Sequence, residues 1–210
     1  MLVLFALLSL LVAPTTSQVA SVIPVSKTNN AFSRGKLDSE ITVDMFIDLG
    51  CSDCMNDWPM LTEVYEKYKN DVKFRYTLFP LPYHTWAFLL AKSVQAVDLL
   101  NGDVFSFIDA AYVPANQAMI YNSATADSTV TDVQSMVATW VTNSTAISLA
   151  DYNDSMANDA NVETRYSFKQ ATLAAVSGTP MHIVNNVKVD GLDTADAWDK
   201  MFKPLLQTKF

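Results

Sequence analysis

Two cysteines occur in this chain of 210 residues, and both lie in the segment Gly50-Cys51-Ser52-Asp53-Cys54. Two thiols separated by two residues can staple a loop, supply half of a metal site, or divide the work of thiol-disulfide exchange. Zinc requires four ligands, and the chain adds only His84 and His182, neither at finger spacing, so neither a metal nor a cofactor is expected. As a staple the pair would close one of the shortest loops available and remove little entropy from the unfolded chain. Exchange suits the spacing better. A thiolate attacks a disulfide, and a second sulfur one helical turn away can reach the mixed disulfide and resolve it.

The flanking residues decide which sulfur does what. "ITVDMFID" (41–48) alternates and then turns almost wholly apolar, as in a central strand covered on both faces. "MNDWPMLTEVYEKYKND" (55–71) places Met60, Val64 and Tyr68 at helical spacing, and "VKFRYTLF" (72–79) alternates as a second strand. Cys51 therefore falls at a strand-to-helix turn. There, unpaired N–H groups and the positive end of the helix dipole favour a thiolate, while Cys54, one turn on, is less exposed. Three nearby residues are candidates for tuning the pair. Ser52 and Asp53 form the intervening dipeptide, which holds no cation and whose carboxylate opposes ionisation of the thiol. Asp48, at the end of the strand, is close enough to act on the pair and equally suits a carboxylate bonded to backbone N–H groups.

The rest of the chain supplies the frame. The apolar run of the first thirteen residues is too short to span a bilayer and suits a signal peptide over 1–17, cut after Ser17 or Ala20. Residues 18–40 read as a polar, irregular leader. From Trp86 to about Leu173 the pattern is helical, with a stop at Asn101-Gly102, a polar loop at 121–129, and capping boxes expected at Thr131–Gln134 and Ser148–Asp151. "MHIVNNVKVDG" (181–191) reads as a hairpin turning at Asn185-Asn186, and an amphipathic helix follows from about Thr194. The four tryptophans, Trp58, Trp86, Trp140 and Trp198, stand among apolar neighbours and read as core. His84 reads as a half-exposed residue opening a helix, and His182 as a packed one. Asn143 and Asn153 begin glycosylation sequons. The order β-α-β, helices, β-β-α gives an α/β fold with a helical insertion at 85–173 between the two halves, 41–84 and 174–210. The net charge of −8 argues against nucleic acid and anionic membrane surfaces as partners.

With these surroundings the chain resembles the DsbA-like thiol-disulfide oxidoreductases of the thioredoxin-like superfamily. "DMFIDLGCSDC" is similar to that family's strand and motif. Pro59 falls where the superfamily kinks its active-site helix, "FPLPYHTWAFLLAKSVQAV" (79–97) looks like the entry to the helical insertion, and "SGTP" with "VDG" resembles the cis-proline loop and terminal hairpin. The resemblance covers about Gly35 to Leu206. It implies a thioredoxin-like fold, Cys51 as nucleophile, Cys54 as resolving thiol, and Thr179 and Pro180 as a cis peptide facing the pair and binding extended substrate. Protein or peptide thiols and disulfides would be the substrates, and a further redox protein the recycling partner, in an exported compartment with no membrane association after signal cleavage. One departure concerns the proton path: Met45 stands six residues before Cys51, where many members of the superfamily carry a buried acid. The alternatives are a redox-silent peptide-binding or chaperone module and, less well matched, glutathione-dependent transfer, which has no need of Cys54.

Overall fold

The computed structural model describes residues 23–25 and 30–207; the expected signal peptide lies outside them. In chain order the strands are β1 (Phe32–Gly35), β2 (Thr42–Ile47), β3 (Lys73–Leu78), β4 (Met181–Val184) and β5 (Val187–Val189). The helices are α1 (Ser52–Tyr68), α2 (Ala87–Leu99), α3 (Val104–Ala111), α4 (Pro114–Ile120), α5 (Val130–Ser144), α6 (Leu149–Ala157), α7 (Ala160–Leu173) and α8 (Ala195–Gln207).

The near-continuous apolar run of β2 makes it the middle of a five-stranded sheet ordered β1-β3-β2-β4-β5. It runs parallel to β3 and antiparallel to β4. Alternate side chains go to opposite faces of a strand, so Val43, Met45 and Ile47, all fully buried, share one face with Phe74 and Tyr76 of β3. The helices α1 and α8 close that face. Phe202 of α8 meets Tyr68 and Trp198, at ring-centroid distances of 4.7 and 5.5 Å. On the other face Phe46 joins Phe79, Leu81, Ala171 and Met181 in a smaller cluster against α7. Asp44 also points to that face and is compensated by Arg75, 2.6 Å away on the neighbouring strand, as a buried charge requires. The helices α2 to α7 stand between β3 and β4 in the chain, as the helical block was expected to do.

Local signals place most of these elements. Asp103 caps α3 by accepting from the N–H groups of Phe105 and Ser106, and Ser148 caps α6 by accepting from Asp151. The capping box of α5 is Thr129 with Asp132, two residues before the expected start, because the side chain that completes it is Asp132. Asn185 and Asn186, at φ of 45° and 67°, make the turn of the β4–β5 hairpin, a conformation asparagine tolerates better than most residues. The leader is not irregular throughout. Phe32–Gly35 forms β1, pairing antiparallel with β3, although its sequence shows no alternation. Its placement comes from tertiary contact: Arg34 lies over the rings of Tyr65 and Phe105, 3.8 and 4.3 Å from their centroids, and donates to the Tyr76 hydroxyl at 2.7 Å. Trp58, Trp140 and Trp198 are buried as expected, whereas Trp86 is only partly covered and donates its indole N–H to Thr125 at 2.7 Å.

His182 is buried on β4 opposite Met45, edge-on to Trp198 at 5.1 Å. Among the described residues its Nε2 has no hydrogen-bond partner, and burial drives its pKa from 6.5 down to about 4. Between those values the unfolded chain binds a proton there and the fold does not, so stability falls as pH falls through this window. Replacing the imidazole by an apolar side chain removes that loss. The stability difference between wild type and His182→Leu, followed by urea unfolding, is expected to shift in favour of the variant as pH drops from 6.5 to about 4.

Candidate active site

The segment that leaves β2 must turn, reverse direction and start a helix within a few residues. Asp48 makes this possible. Its side chain is fully buried, and its carboxylate accepts from Gly50 N at 2.8 Å and Leu81 N at 3.0 Å while meeting His84 Nδ1 at 2.7 Å. Its carbonyl accepts from Cys51 N at 3.0 Å and from the buried Tyr112 hydroxyl at 3.0 Å. Gln117, also fully buried, donates to the next carbonyl, that of Leu49. Gly50 gives His84 room to approach, since an added Cβ would lie 3.2 Å from the histidine's own Cβ. The β3–α2 loop, the end of α3 and α4 are thereby tied to the turn before Cys51.

Cys51 is the N-cap of α1, with extended backbone (φ −89°, ψ 121°), and its carbonyl takes the first helical bond from Met55. Both cysteines are free thiols buried at the end of the helix. The bond between Thr179 and Pro180 is cis, and the Thr179 carbonyl accepts from Cys51 Sγ at 3.4 Å. The structure thus brings Cys51, Cys54 and the Thr179-Pro180 loop together across 128 residues of chain.

The two sulfurs have opposite environments. Cys51 is lowered from 9.0 to about 6, first by a hydrogen bond from the Cys54 thiol, which outweighs its own partial burial, and then by the Cys54 N–H, Thr179 and the Asp53 N–H. Cys54 is pushed well above 9.0 by burial and by the neighbouring Cys51. Of the three expected tuning residues, Asp53 acts with its backbone amide, and the Ser52 hydroxyl and Asp53 carboxylate are not among the principal influences on the thiol. Both side chains are exposed, where water screens them. Asp48 reaches Cys54 through its backbone while its carboxylate serves the turn. The Thr179 hydroxyl is buried with no other partner among the described residues and contributes to lowering both thiols.

Sequence reasoning missed the contribution of His84, Tyr112 and Gln117. His84 precedes α2, as expected of a residue opening a helix, but three quarters of its side chain is covered and it is bonded to Asp48. The only sequence signal for Tyr112 and Gln117 is a polar group at the end or on the buried face of a short helix, which local patterns do not connect to a turn more than 60 residues earlier.

Two measurements follow from this geometry. In the reduced protein the Cys51 thiolate should titrate near pH 6 by its absorbance and by alkylation rate, and Thr179→Val should move that midpoint upward. Because the folded pKa lies below the unfolded one, this group's stabilisation is complete above about 9 and is lost as pH falls through about 6; Cys51→Ser lacks that slope. Asp48→Ala leaves two backbone donors without an acceptor and should destabilise the fold by about 2–5 kcal/mol in denaturant unfolding, with Asp48→Asn costing less because one acceptor oxygen remains.

A thioredoxin family model matches residues 27–203 of the chain. Among solved structures, alpha-DsbA1 of Wolbachia pipientis superposes with a TM-score of 0.66 at 16% identity, over 88% of this chain and 94% of its own. BdbD of Bacillus subtilis gives 0.64 at 16%, over 86% and 95%. MdbA, a thiol-disulfide oxidoreductase of Actinomyces oris, gives 0.63 at 15%, over 84% and 89%. No curated protein sequence matches. The chain follows the fold of these structures over most of its length, and it belongs to the thioredoxin family, in the DsbA-like form of its fold.

Proposed function

We propose that this protein is a thiol-disulfide oxidoreductase acting on cysteines of polypeptide substrates, with Cys51 as nucleophile and Cys54 as resolving thiol. The observation that carries the reading is the inequality of the pair: Cys51 is lowered to about 6 and Cys54 held well above 9.0. At neutral pH one thiolate then faces one thiol, which is the state that exchange requires.

In the oxidising direction a substrate thiolate attacks Cys51 Sγ of the Cys51–Cys54 disulfide, and Cys54 leaves as a thiolate that takes up a proton. A second substrate thiolate attacks the substrate sulfur of the mixed disulfide and expels Cys51, whose low pKa makes it a good leaving group. Two electrons pass from the substrate dithiol to the pair. In the reducing direction the same steps run backwards, starting from Cys51 thiolate and ending with Cys54 attacking Cys51. Thr179 stabilises the Cys51 thiolate, and the Thr179-Pro180 loop lies where an extended substrate next to the reacting cysteine would pass. A separate redox protein restores the pair after each turnover. The apolar run of the first thirteen residues, expected as a signal peptide, supports action outside the reducing cytosol.

Cys51→Ser is expected to abolish exchange with a peptide disulfide, and Cys54→Ser to accumulate mixed disulfides that resolve only with added thiol. Trapping by Cys51→Ser would reverse the two roles. Equal residual activity in both variants would remove the mechanism.

A further inference from the structure

Two hollows adjoin at the β3–α2 loop and share His84 and Thr85. One, of about 360 Å³, is walled by Gly50 and Ser52 and so begins beside Cys51. The other, of about 480 Å³, continues outward between Pro82, Phe88 and the face of α7 that carries Arg165, Phe168 and Lys169. Its apolar walls are open to solvent, with Phe88 39% and Phe168 37% exposed. An apolar hollow leading away from a reactive sulfur suits a chain that must lie across it.

The charges say what kind of chain. The protein carries a net charge of −8, yet no carboxylate lines either hollow among the described residues, and the outer one has two cations. Arg165 and Lys169 stand four residues apart on α7, where side chains are neighbours and like charges repel. Neither makes an ion pair among the described residues, so the two charges face each other without an acid between them. An unrelieved pair of cations beside exposed aromatic rings is a small cost in the free protein that an acidic ligand would remove.

We infer that this groove is a docking surface for the substrate polypeptide, selecting an apolar side chain followed by an acidic residue on one side of the reacting cysteine. The inference rests on the oxidoreductase reading and deepens it by naming a substrate class. The apolar side chain enters between Phe88 and Phe168, and the acid lies against Arg165 and Lys169. Exchange on small neutral disulfides does not use the groove.

The test takes the full-length protein and a panel of peptides in which Leu-Glu is placed two to six residues before or after a cysteine, with Leu-Gln and Leu-Lys counterparts. Disulfide exchange gives kcat/KM, and fluorescence anisotropy of peptides with Ser for Cys gives binding that needs no redox chemistry. At one position Leu-Glu should exceed Leu-Lys by about tenfold. The double variant Arg165→Glu/Lys169→Glu, altered at one exposed and one half-buried cation, should abolish or invert that preference while leaving exchange with hydroxyethyl disulfide unchanged. Added salt should shrink the wild-type preference. Exchange that is equal for all three peptides, or a preference untouched by the double variant, overturns the inference and leaves the oxidoreductase reading standing. Selective binding of the Leu-Glu peptide without any exchange supports the groove and sinks the oxidoreductase reading. Self-association that the double variant abolishes, without peptide binding, makes the surface an interface between copies and overturns the inference.

Discussion

A carboxylate withdrawn from water at the end of a central strand must be given donors, and the way Asp48 obtains them organises the site. One oxygen closes the turn through Gly50, and the other holds Leu81 and His84 of the loop after the neighbouring strand. These donors lie on the loops that follow two parallel strands, so the carboxylate fixes how the two loops lie against each other. The backbone of the same residue is held by Tyr112. A buried charge that loses any of these partners is strongly destabilising, which makes the arrangement close to all-or-none.

The asymmetry of the thiols follows from that anchored turn. Cys51 N is bonded to Asp48, which sets Cys51 as N-cap and leaves the amides of Asp53 and Cys54 aimed toward its sulfur. One turn of helix carries Cys54 into the core, where loss of water and the neighbouring Cys51 oppose a second negative charge. The same short loop therefore favours one ionised sulfur and opposes two, with no cation in the motif. Side-chain charge in the intervening dipeptide matters less than backbone direction because Ser52 and Asp53 point to solvent.

The helix that presents the pair is secured at its far end as well. Lys67 and Tyr68 of α1 reach Asp199 of α8 at 2.7 and 2.6 Å, and Lys203 joins from the next turn of α8. Tyr68 is raised to about 12 by burial and by that hydrogen bond, so it stays a donor across the physiological range. Pro59 lies within the helix and withholds one backbone donor from it. Anchors at both ends let the helix keep its position despite that gap.

By itself the sequence determined what short-range physics controls. Alternation and apolar runs marked β2 and β3, helical spacing marked the body of α1, Asn185-Asn186 marked the hairpin, and the spacing of Cys51 and Cys54 put two sulfurs within one helical turn. Each of these is a preference of neighbouring residues for one backbone geometry, so it can be read without knowing the rest of the chain. The tertiary structure decided the rest. It placed Thr179 against Cys51, bound the Asp48 carboxylate to His84 rather than to the thiols, brought Tyr112 and Gln117 of the helical block to the turn, and made a strand of Phe32–Gly35. Those outcomes depend on which distant donors reach a buried acceptor and on which ring stacks under Arg34. Such choices are made by burial and by hydrogen-bond satisfaction across long loops, and they leave no periodic trace in the residues that make them.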